Sequence, residues 1–244
     1  MRYDDVDLLC LDAGNTVIFL DHARLAELLR GFGVDASVHA LIRAEGEAKR
    51  LAESGGLADP SWTFRDRPGA AAWGRMVATI AARAGFPSDK LGALLDVVWP
   101  VHVEKNLWCR VPEGLGEALD AIRARGVRTA IISNSEAVLE RLFTLLGIRG
   151  HFDLVVDSGV VGVEKPDPKI FRIALDRFGV APSRALHLGD VFATDILGAR
   201  AAGIRCALID PFGHYAGMHA DVERVAGAVE VARAIADARK AAGS

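Results

Sequence analysis

Short apolar runs and longer segments with helical periodicity follow one another along the 244-residue chain. Each run is apolar on both alternating faces and rich in β-branched residues or leucine, which is typical of a strand buried in a parallel sheet. The runs lie at residues 6–12, 127–133, 152–157, 185–189 and 205–210. From the second run onward, predicted helices such as PEGLGEALDAIRARG and DPKIFRIALDRFGV separate the strands. This alternation predicts an α/β fold, a doubly wound parallel sheet with helices on both faces.

A long segment interrupts the alternation after the first predicted strand. Residues 20–106 contain four stretches with the apolar spacing of helices, and a loop, GGLADPSWTFRDRPG, between the second and the third. We therefore predict an inserted all-helical cap domain at residues 20–106 and an α/β core at residues 1–19 and 107–244. Ligands of doubly wound sheets bind at the carboxyl ends of the strands, so we expect the cap to cover that edge.

Polar side chains collect where the predicted strands end. They are Asp12 after the first strand, Ser133 and Asn134 after the second, Lys165 in the loop after the third, and Asp190 and Asp195 after the fourth. The carboxylates are oxygen ligands of the kind that Mg²⁺ prefers, and a hydroxyl and a lysine can hold phosphate oxygens. Asp12 is then placed to attack phosphorus, because a metal would neutralise the repulsion between two anions.

Four segments, DAGNT, IISNS, EKPDP and GDVFATD, occur in this order and resemble the motifs of the haloacid dehalogenase (HAD) superfamily. The point of insertion resembles the subgroup with a helical cap. The resemblance implies a Rossmann-like core and a hydrolase in which Asp12 becomes an aspartyl phosphate. It also implies that Ser133 and Lys165 hold the phosphoryl group, and that Asp12, Asp190, Asp195 and the backbone carbonyl of Gly14 hold Mg²⁺ directly or through water. We further expect Thr16 and Asn134 to contact the substrate.

Gly14 departs from the pattern of the family's phosphatases. They usually carry a second aspartate at this position, which protonates the leaving group and later activates water. General acid–base catalysis contributes typically about 10²–10⁴-fold to a rate, so we expect a slow enzyme, or one that prefers leaving groups needing no proton, such as those of acyl or aryl phosphates.

Two alternatives to a phosphatase follow from Gly14. A 2-haloacid dehalogenase also lacks the second aspartate, but dehalogenases of the family use no metal and carry Ser-x-Asn in place of the first acid of GDVFATD. A phospho-ligand-binding or scaffold protein that has lost turnover would not need the nucleophile Asp12. The acidic pair Asp190 and Asp195 therefore favours a Mg²⁺-dependent phosphatase.

Two residues of the predicted cap are candidates for substrate binding. His22 lies shortly after Asp12 in the chain and could exchange a proton near neutral pH, although a histidine at a helix cap or on the surface would look the same. Arg65, with Arg67 and Trp62 in the same loop, could meet an anionic or apolar part of a substrate, although such residues often only stabilise a loop.

Composition and charge limit the partners that the protein could bind and the compartment in which we expect it. The net charge is −3 and the basic residues are scattered, which argues against nucleic-acid binding. No apolar run approaches the roughly 20 residues that span a bilayer, and acidic residues near the start argue against a signal peptide. Three widely spaced cysteines indicate a reducing compartment. We predict a cytoplasmic monomer or homodimer that acts on a small phosphorylated molecule and binds neither nucleic acid nor membrane.

Overall fold

A computed structural model describes residues 2–62 and 68–242 of the chain. The chain divides into two compact units. The α/β unit comprises Met1–Phe19, Val111–Pro211 and His219–Ser244, and the helical unit comprises Leu20–Arg110 and Phe212–Met218. Residues 107–110 and 212–218, which the sequence assigned to the core, are thus grouped with the helical unit.

The α/β unit is built on a parallel sheet. The strands of the described residues are β1 (Leu8–Leu11), β2 (Phe19–Leu20), β3 (Trp108–Arg110), β4 (Arg128–Ser133), β5 (Leu154–Asp157), β6 (Ala185–Gly189), β7 (Arg205–Ile209) and β8 (Arg224–Val225). Six of them form one sheet in the order β5-β4-β1-β6-β7-β8, and β2 and β3 form a two-stranded sheet. Every pairing in the larger sheet is parallel. The predicted doubly wound α/β fold is confirmed.

Ten α-helices lie within the described residues. They are α1 (His22–Arg30), α2 (Val38–Glu53), α3 (Ala70–Arg83), α4 (Leu91–Glu104), α5 (Leu115–Arg123), α6 (Leu139–Leu145), α7 (Ser158–Val161), α8 (Pro168–Phe178), α9 (Leu197–Ala201) and α10 (Ala228–Ala242). In the part of the chain that the structure covers, no helix combines the length and the apolar character needed to cross a membrane.

The core of the α/β unit forms around β1. This strand lies between β4 and β6. All four of its residues are buried, and since successive side chains point to opposite faces of a sheet, β1 is covered on both faces. Leu8 and Cys10 pack in one cluster with Phe171 of α8. Burying a leucine or a phenylalanine side chain contributes about 1.5–3 kcal/mol, so this cluster fixes the strand that leads to Asp12.

Local sequence signals set the ends of α8, the helix that follows Lys165. Asp167 is its N-cap, and the side chain accepts a hydrogen bond from the backbone N–H of Lys169 (2.9 Å). Pro168 occupies the first helical position, where no N–H is needed. Gly179 ends the helix in the left-handed conformation. The EKPDP segment therefore forms a rigid entry to a helix, which restricts the main chain next to Lys165.

The helical unit has a hydrophobic core of its own. Helices α1 to α4 supply it, and its centre holds the rings of Trp62, Trp73 and Trp99, with ring centroids 4.8–5.9 Å apart. Residues 212–218 join this unit through hydrogen bonds to α2, since Arg50 donates to the carbonyl of His214 (2.5 Å). A hydrogen bond of this kind produces no periodic pattern of apolar residues, so it could not be predicted from the sequence.

Candidate active site

Three neighbouring strand ends bring Asp12, Ser133 and Asp190 to one edge of the sheet. Ser133 is the last residue of β4, Asp12 directly follows β1, and Asp190 directly follows β6. The register pairs Leu11 of β1 with residues of both β4 and β6. The three side chains are buried. The carboxyl edge of the sheet therefore gathers a hydroxyl and two carboxyls, as the sequence predicted.

Lys165 joins this group from the loop after α7. Its Nζ donates to Asp12 Oδ1 (2.5 Å) and to Asp195 Oδ1 (2.6 Å), and the side chain is buried. The Asn134 side chain holds the main chain of Lys165, because its Oδ1 accepts from the Lys165 N–H (2.8 Å) and its Nδ2 donates to the Lys165 carbonyl (3.0 Å). The lysine is thus fixed at the backbone and at the tip of the side chain.

Asp195 approaches the group from a π-helical turn, Phe192–Ile196. The backbone N–H of Val191 donates to its Oδ2 (3.0 Å). A side chain at Gly189 would overlap the carboxyl of Asp195, so only glycine at this strand end leaves room for the carboxylate.

Burial and the neighbouring charges shift the pKa values of Asp12 and Asp195 in opposite directions. Burial raises the pKa of Asp12 to about 6, and the carboxylates of Asp195 and Asp190 add to this rise against the opposing effect of Lys165. Burial would also raise the pKa of Asp195, but Lys165 and His187 outweigh it, so the pKa lies below its ordinary value. The pKa of Lys165 is raised because the two carboxylates outweigh burial. Lys165 therefore stays protonated, and Asp12 ionises less readily than Asp195.

The same three carboxyls form a set of donors for a metal ion. One oxygen each from Asp12, Asp190 and Asp195 lies within 4.8 Å of the others. Asn15 Nδ2 donates to Asp190 Oδ2 (3.2 Å) and orients that carboxyl. Three buried carboxyls beside a single lysine carry excess negative charge, and oxygen ligands suit a hard divalent cation. The donor set therefore fits Mg²⁺.

The loop after β1 carries two more of the predicted site residues. It is closed by hydrogen bonds from the N–H groups of Val17 and Ile18 to the carbonyl of Ala13 (both 3.0 Å). Thr16 is buried, and among the described residues its Oγ1 has no hydrogen-bond partner. This hydroxyl is available to a ligand. That the Gly14 carbonyl binds the metal stays a prediction.

His187 belongs to the cluster but was not among the site residues predicted from the sequence. It lies in the middle of β6, is fully buried, and its Nε2 is 3.0 Å from Asp195 Oδ1. The ring packs edge-on against Phe171, with centroids 5.0 Å apart. The signal in the sequence was a histidine inside the buried run ALHLG, where a polar residue needs a partner.

The candidates in the helical unit have different surroundings. His22 begins α1 and is buried, and its Nε2 lies 2.9 Å from Glu45 Oε2. Its contact with substrate stays a prediction. Trp62 donates from Nε1 to Asp96 Oδ1 (3.1 Å) inside the hydrophobic core of that unit. Arg65 and Arg67 lie outside the described residues.

Comparison with known proteins points to one family. Residues 6–203 match the family of haloacid dehalogenase-like hydrolases. The phosphoserine phosphatase of Thermus thermophilus is 32% identical over 224 residues, which cover 83% of this chain and 88% of that protein. The haloacid dehalogenase-like hydrolase domain-containing protein 3 of Mus musculus is 44% identical over 138 residues. That match covers 56% of this chain and 55% of the mouse protein, so the chain spans about half the length of this relative.

Solved structures share the fold. The HAD-hydrolase YfnB from Bacillus subtilis, crystallised with magnesium, superposes with a TM-score of 0.66 at 16% identity, covering 96% of this chain and 99% of YfnB. The 2-haloacid dehalogenase from Pseudomonas syringae pv. Tomato DC3000 superposes with a TM-score of 0.56 at 23% identity, covering 98% of this chain and all of that one. At these identities the similarity concerns the fold alone, so the chemistry must be argued from the side chains.

Proposed function

This chain belongs to the haloacid dehalogenase-like hydrolase family, and we propose that it is a Mg²⁺-dependent phosphatase that acts on a small phosphorylated metabolite through an aspartyl phosphate at Asp12. One observation carries the proposal, namely that Lys165 bridges the carboxyls of Asp12 and Asp195, within the set that includes Asp190. The similarity to the Thermus phosphatase over most of both chains supports the same reaction class.

The residues suit a two-step transfer. An oxygen of the Asp12 carboxylate attacks phosphorus, and the bond between phosphorus and the leaving-group oxygen breaks, so that an acyl phosphate forms on Asp12. Water then attacks the same phosphorus, inorganic phosphate leaves, and the Asp12 carboxylate is restored. Lys165 and the Ser133 hydroxyl hold the phosphoryl oxygens in both steps, and the buried Thr16 hydroxyl is available to the same group.

Asp12, Asp190 and Asp195 would hold Mg²⁺, together with the Gly14 carbonyl. When bound, the metal supplies positive charge that lets a carboxylate and a phosphate approach each other. Without it, burial and the neighbouring carboxylates keep the pKa of Asp12 at about 6. The protein's own part is to fix the Asp12 nucleophile beside Lys165.

Gly14 leaves this loop without the usual acid for the leaving group, so we expect the best substrates to be phosphates whose leaving group needs no proton. We propose His22, a histidine that pairs with Glu45 in the helical unit, as the residue that exchanges this proton instead. We also keep as proposals that the helical unit selects the substrate, and that the protein is a cytoplasmic monomer or homodimer.

The proposal predicts Mg²⁺-dependent release of inorganic phosphate from a panel that includes acyl, aryl and alkyl phosphates. We expect EDTA to abolish release, and Asp12→Asn to lower it by a factor of at least about 10⁴ because the nucleophile is lost. Asp176→Asn, which changes an exposed carboxyl on α8, is the matched control and should keep full activity.

Halide release from 2-haloacids is measured on the same samples. Halide release that persists in EDTA would replace the proposal with a dehalogenase. Binding of phosphate without release of either product would indicate a phospho-ligand-binding protein.

A further inference from the structure

Asp157 is a buried residue at the end of β5 to which the proposed mechanism gives no role. The strand register places it beside Ser133 of β4. Its Oδ1 accepts from the N–H groups of Ala137 (3.2 Å) and Gly159 (3.0 Å), and its Oδ2 accepts from the N–H of Leu139 (3.1 Å). Two of these three donors belong to the segment that follows Ser133.

The next two residues contact the same segment. Ser158 Oγ accepts from the Ser135 N–H (3.1 Å) and donates to the Ser135 carbonyl (3.4 Å). A Cβ on Gly159 would lie 2.6 Å from Ala137 N and 2.8 Å from the Ser135 carbonyl oxygen, so only glycine permits this approach. Three consecutive residues, the last of β5 and the two that follow it, thus contact the segment after Ser133. We call residues 134–138 the β4–α6 loop.

The β4–α6 loop needs such support. Ala137 has a φ of 62°, in the left-handed region that a residue with a side chain rarely adopts. The N-cap of α6 is Val138, whose side chain caps nothing, so the first N–H groups of the helix need an acceptor from elsewhere. The Asp157 carboxyl supplies it at Leu139.

The loop connects Asp157 to the phosphate-binding groups. Ser133 directly precedes the loop, and Asn134 within it makes the two hydrogen bonds that fix the main chain of Lys165. We propose that Asp157 is a positioning residue of the phosphate site. It holds the β4–α6 loop so that Ser133 and, through Asn134, Lys165 keep their places. This inference rests on the proposed function.

Two substitutions at Asp157 test the inference. Asp157→Asn keeps the Oδ1 acceptor and replaces Oδ2 with an NH₂ group, so it loses the bond to the Leu139 N–H. Asp157→Ala loses all three bonds. Since a misplacement of about 1 Å can cost about a hundredfold in rate, we expect kcat/KM for phosphate release to fall by about tenfold in the Asn variant and about a hundredfold in the Ala variant. The dissociation constant for inorganic phosphate, measured by calorimetry with Mg²⁺ present, should rise in the same order.

Asp153→Asn is the matched control. Asp153 directly precedes β5, at the end of the strand opposite to Asp157, and its side chain too accepts a backbone hydrogen bond, from Thr129 (2.9 Å). Its substitution should lower thermal stability without changing phosphate affinity. Hydrogen exchange at the Ala137 and Leu139 amides shows whether the loop is released in the Asp157 variants, and thermal unfolding shows whether they fold.

The outcomes separate the inference from the proposed function. Faster exchange at Ala137 and Leu139 with weaker phosphate binding supports the positioning role. Faster exchange with unchanged phosphate affinity and unchanged kcat/KM overturns it and leaves the proposed function intact. A similar loss of phosphate affinity in Asp153→Asn would also overturn it, because the effect would then be general. A wild-type protein that neither binds nor releases phosphate would overturn the proposed function, and the inference with it.

Discussion

In the proposed mechanism, Gly14 is the residue that most restricts the chemistry of the site. The motif resemblance implies that the family's phosphatases carry a carboxylate here that protonates the leaving group, and glycine supplies no acid at this position. Restoring an acid at this position should therefore change the rate without changing the phosphate-binding groups.

We expect Gly14→Asp to raise the turnover of alkyl phosphates by at least about tenfold, since general acid–base catalysis is worth about 10²–10⁴-fold. Aryl and acyl phosphates, whose leaving groups need no proton, should gain much less. Gly14→Asn is the matched control, because it adds a side chain of the same shape without an acid. Equal rates in the Asp and Asn variants would show that the proton comes from elsewhere.

The buried carboxyl of Asp12, the proposed nucleophile, also affects stability. Its pKa is raised from 3.8 to about 6 in the folded, metal-free protein, so the folded state binds this proton more tightly than the unfolded chain does. The carboxyl therefore opposes folding above about pH 6, and the opposition disappears as the pH falls toward about 4. The ionised carboxyl of Asp195 has the opposite effect and favours folding, because Lys165 and His187 lower its pKa.

We predict that without metal at neutral pH, Asp12→Asn raises the free energy of unfolding by about 1–3 kcal/mol. The gain should shrink as the pH is lowered toward 4. Asp195→Asn makes the same chemical change and should instead lower the free energy of unfolding. Urea titrations in EDTA at several pH values measure both. Destabilisation by Asp12→Asn at neutral pH would show that its pairing with Lys165 outweighs its burial.

At the scale of elements, the strands that carry the chemistry could be predicted because they are buried on both faces. The runs before Asp12, Ser133 and Asp190 are mostly apolar, and parallel strands bring their carboxyl ends to one edge. Short elements could not be predicted in the same way. The two-residue strand β8 and the π-helical turn that carries Asp195 have no periodicity to detect.

Contacts between elements could not be predicted from the sequence either. His187 and Asp157 each have an ordinary local sequence, and their roles depend on partners 8 residues away in one case and 18 to 20 in the other. A single chain shows that such a residue is buried and polar, but it does not show which backbone group satisfies it. The register between β4 and β5 supplied that information for Asp157.

At the scale of the whole molecule, the described site residues of the mechanism all belong to the α/β unit. Asp12 lies in the first of its three segments of chain, and Ser133, Lys165, Asp190 and Asp195 lie in the second. The helical unit contributes a separate hydrophobic core and the buried pair of His22 and Glu45. The proposed reaction class therefore rests on residues of the α/β unit. That the helical unit selects the substrate is a separate proposal.

The central claim is that Asp12 carries the phosphoryl group during turnover. The most direct measurement is rapid acid quenching of the protein with acetyl phosphate and Mg²⁺, followed by borohydride reduction of acyl phosphates and peptide mass spectrometry. We predict a reduced residue at Asp12 that requires Mg²⁺ and is absent from Asp12→Asn. Phosphate release with an unmodified Asp12, or a modification at another carboxyl, would contradict the account.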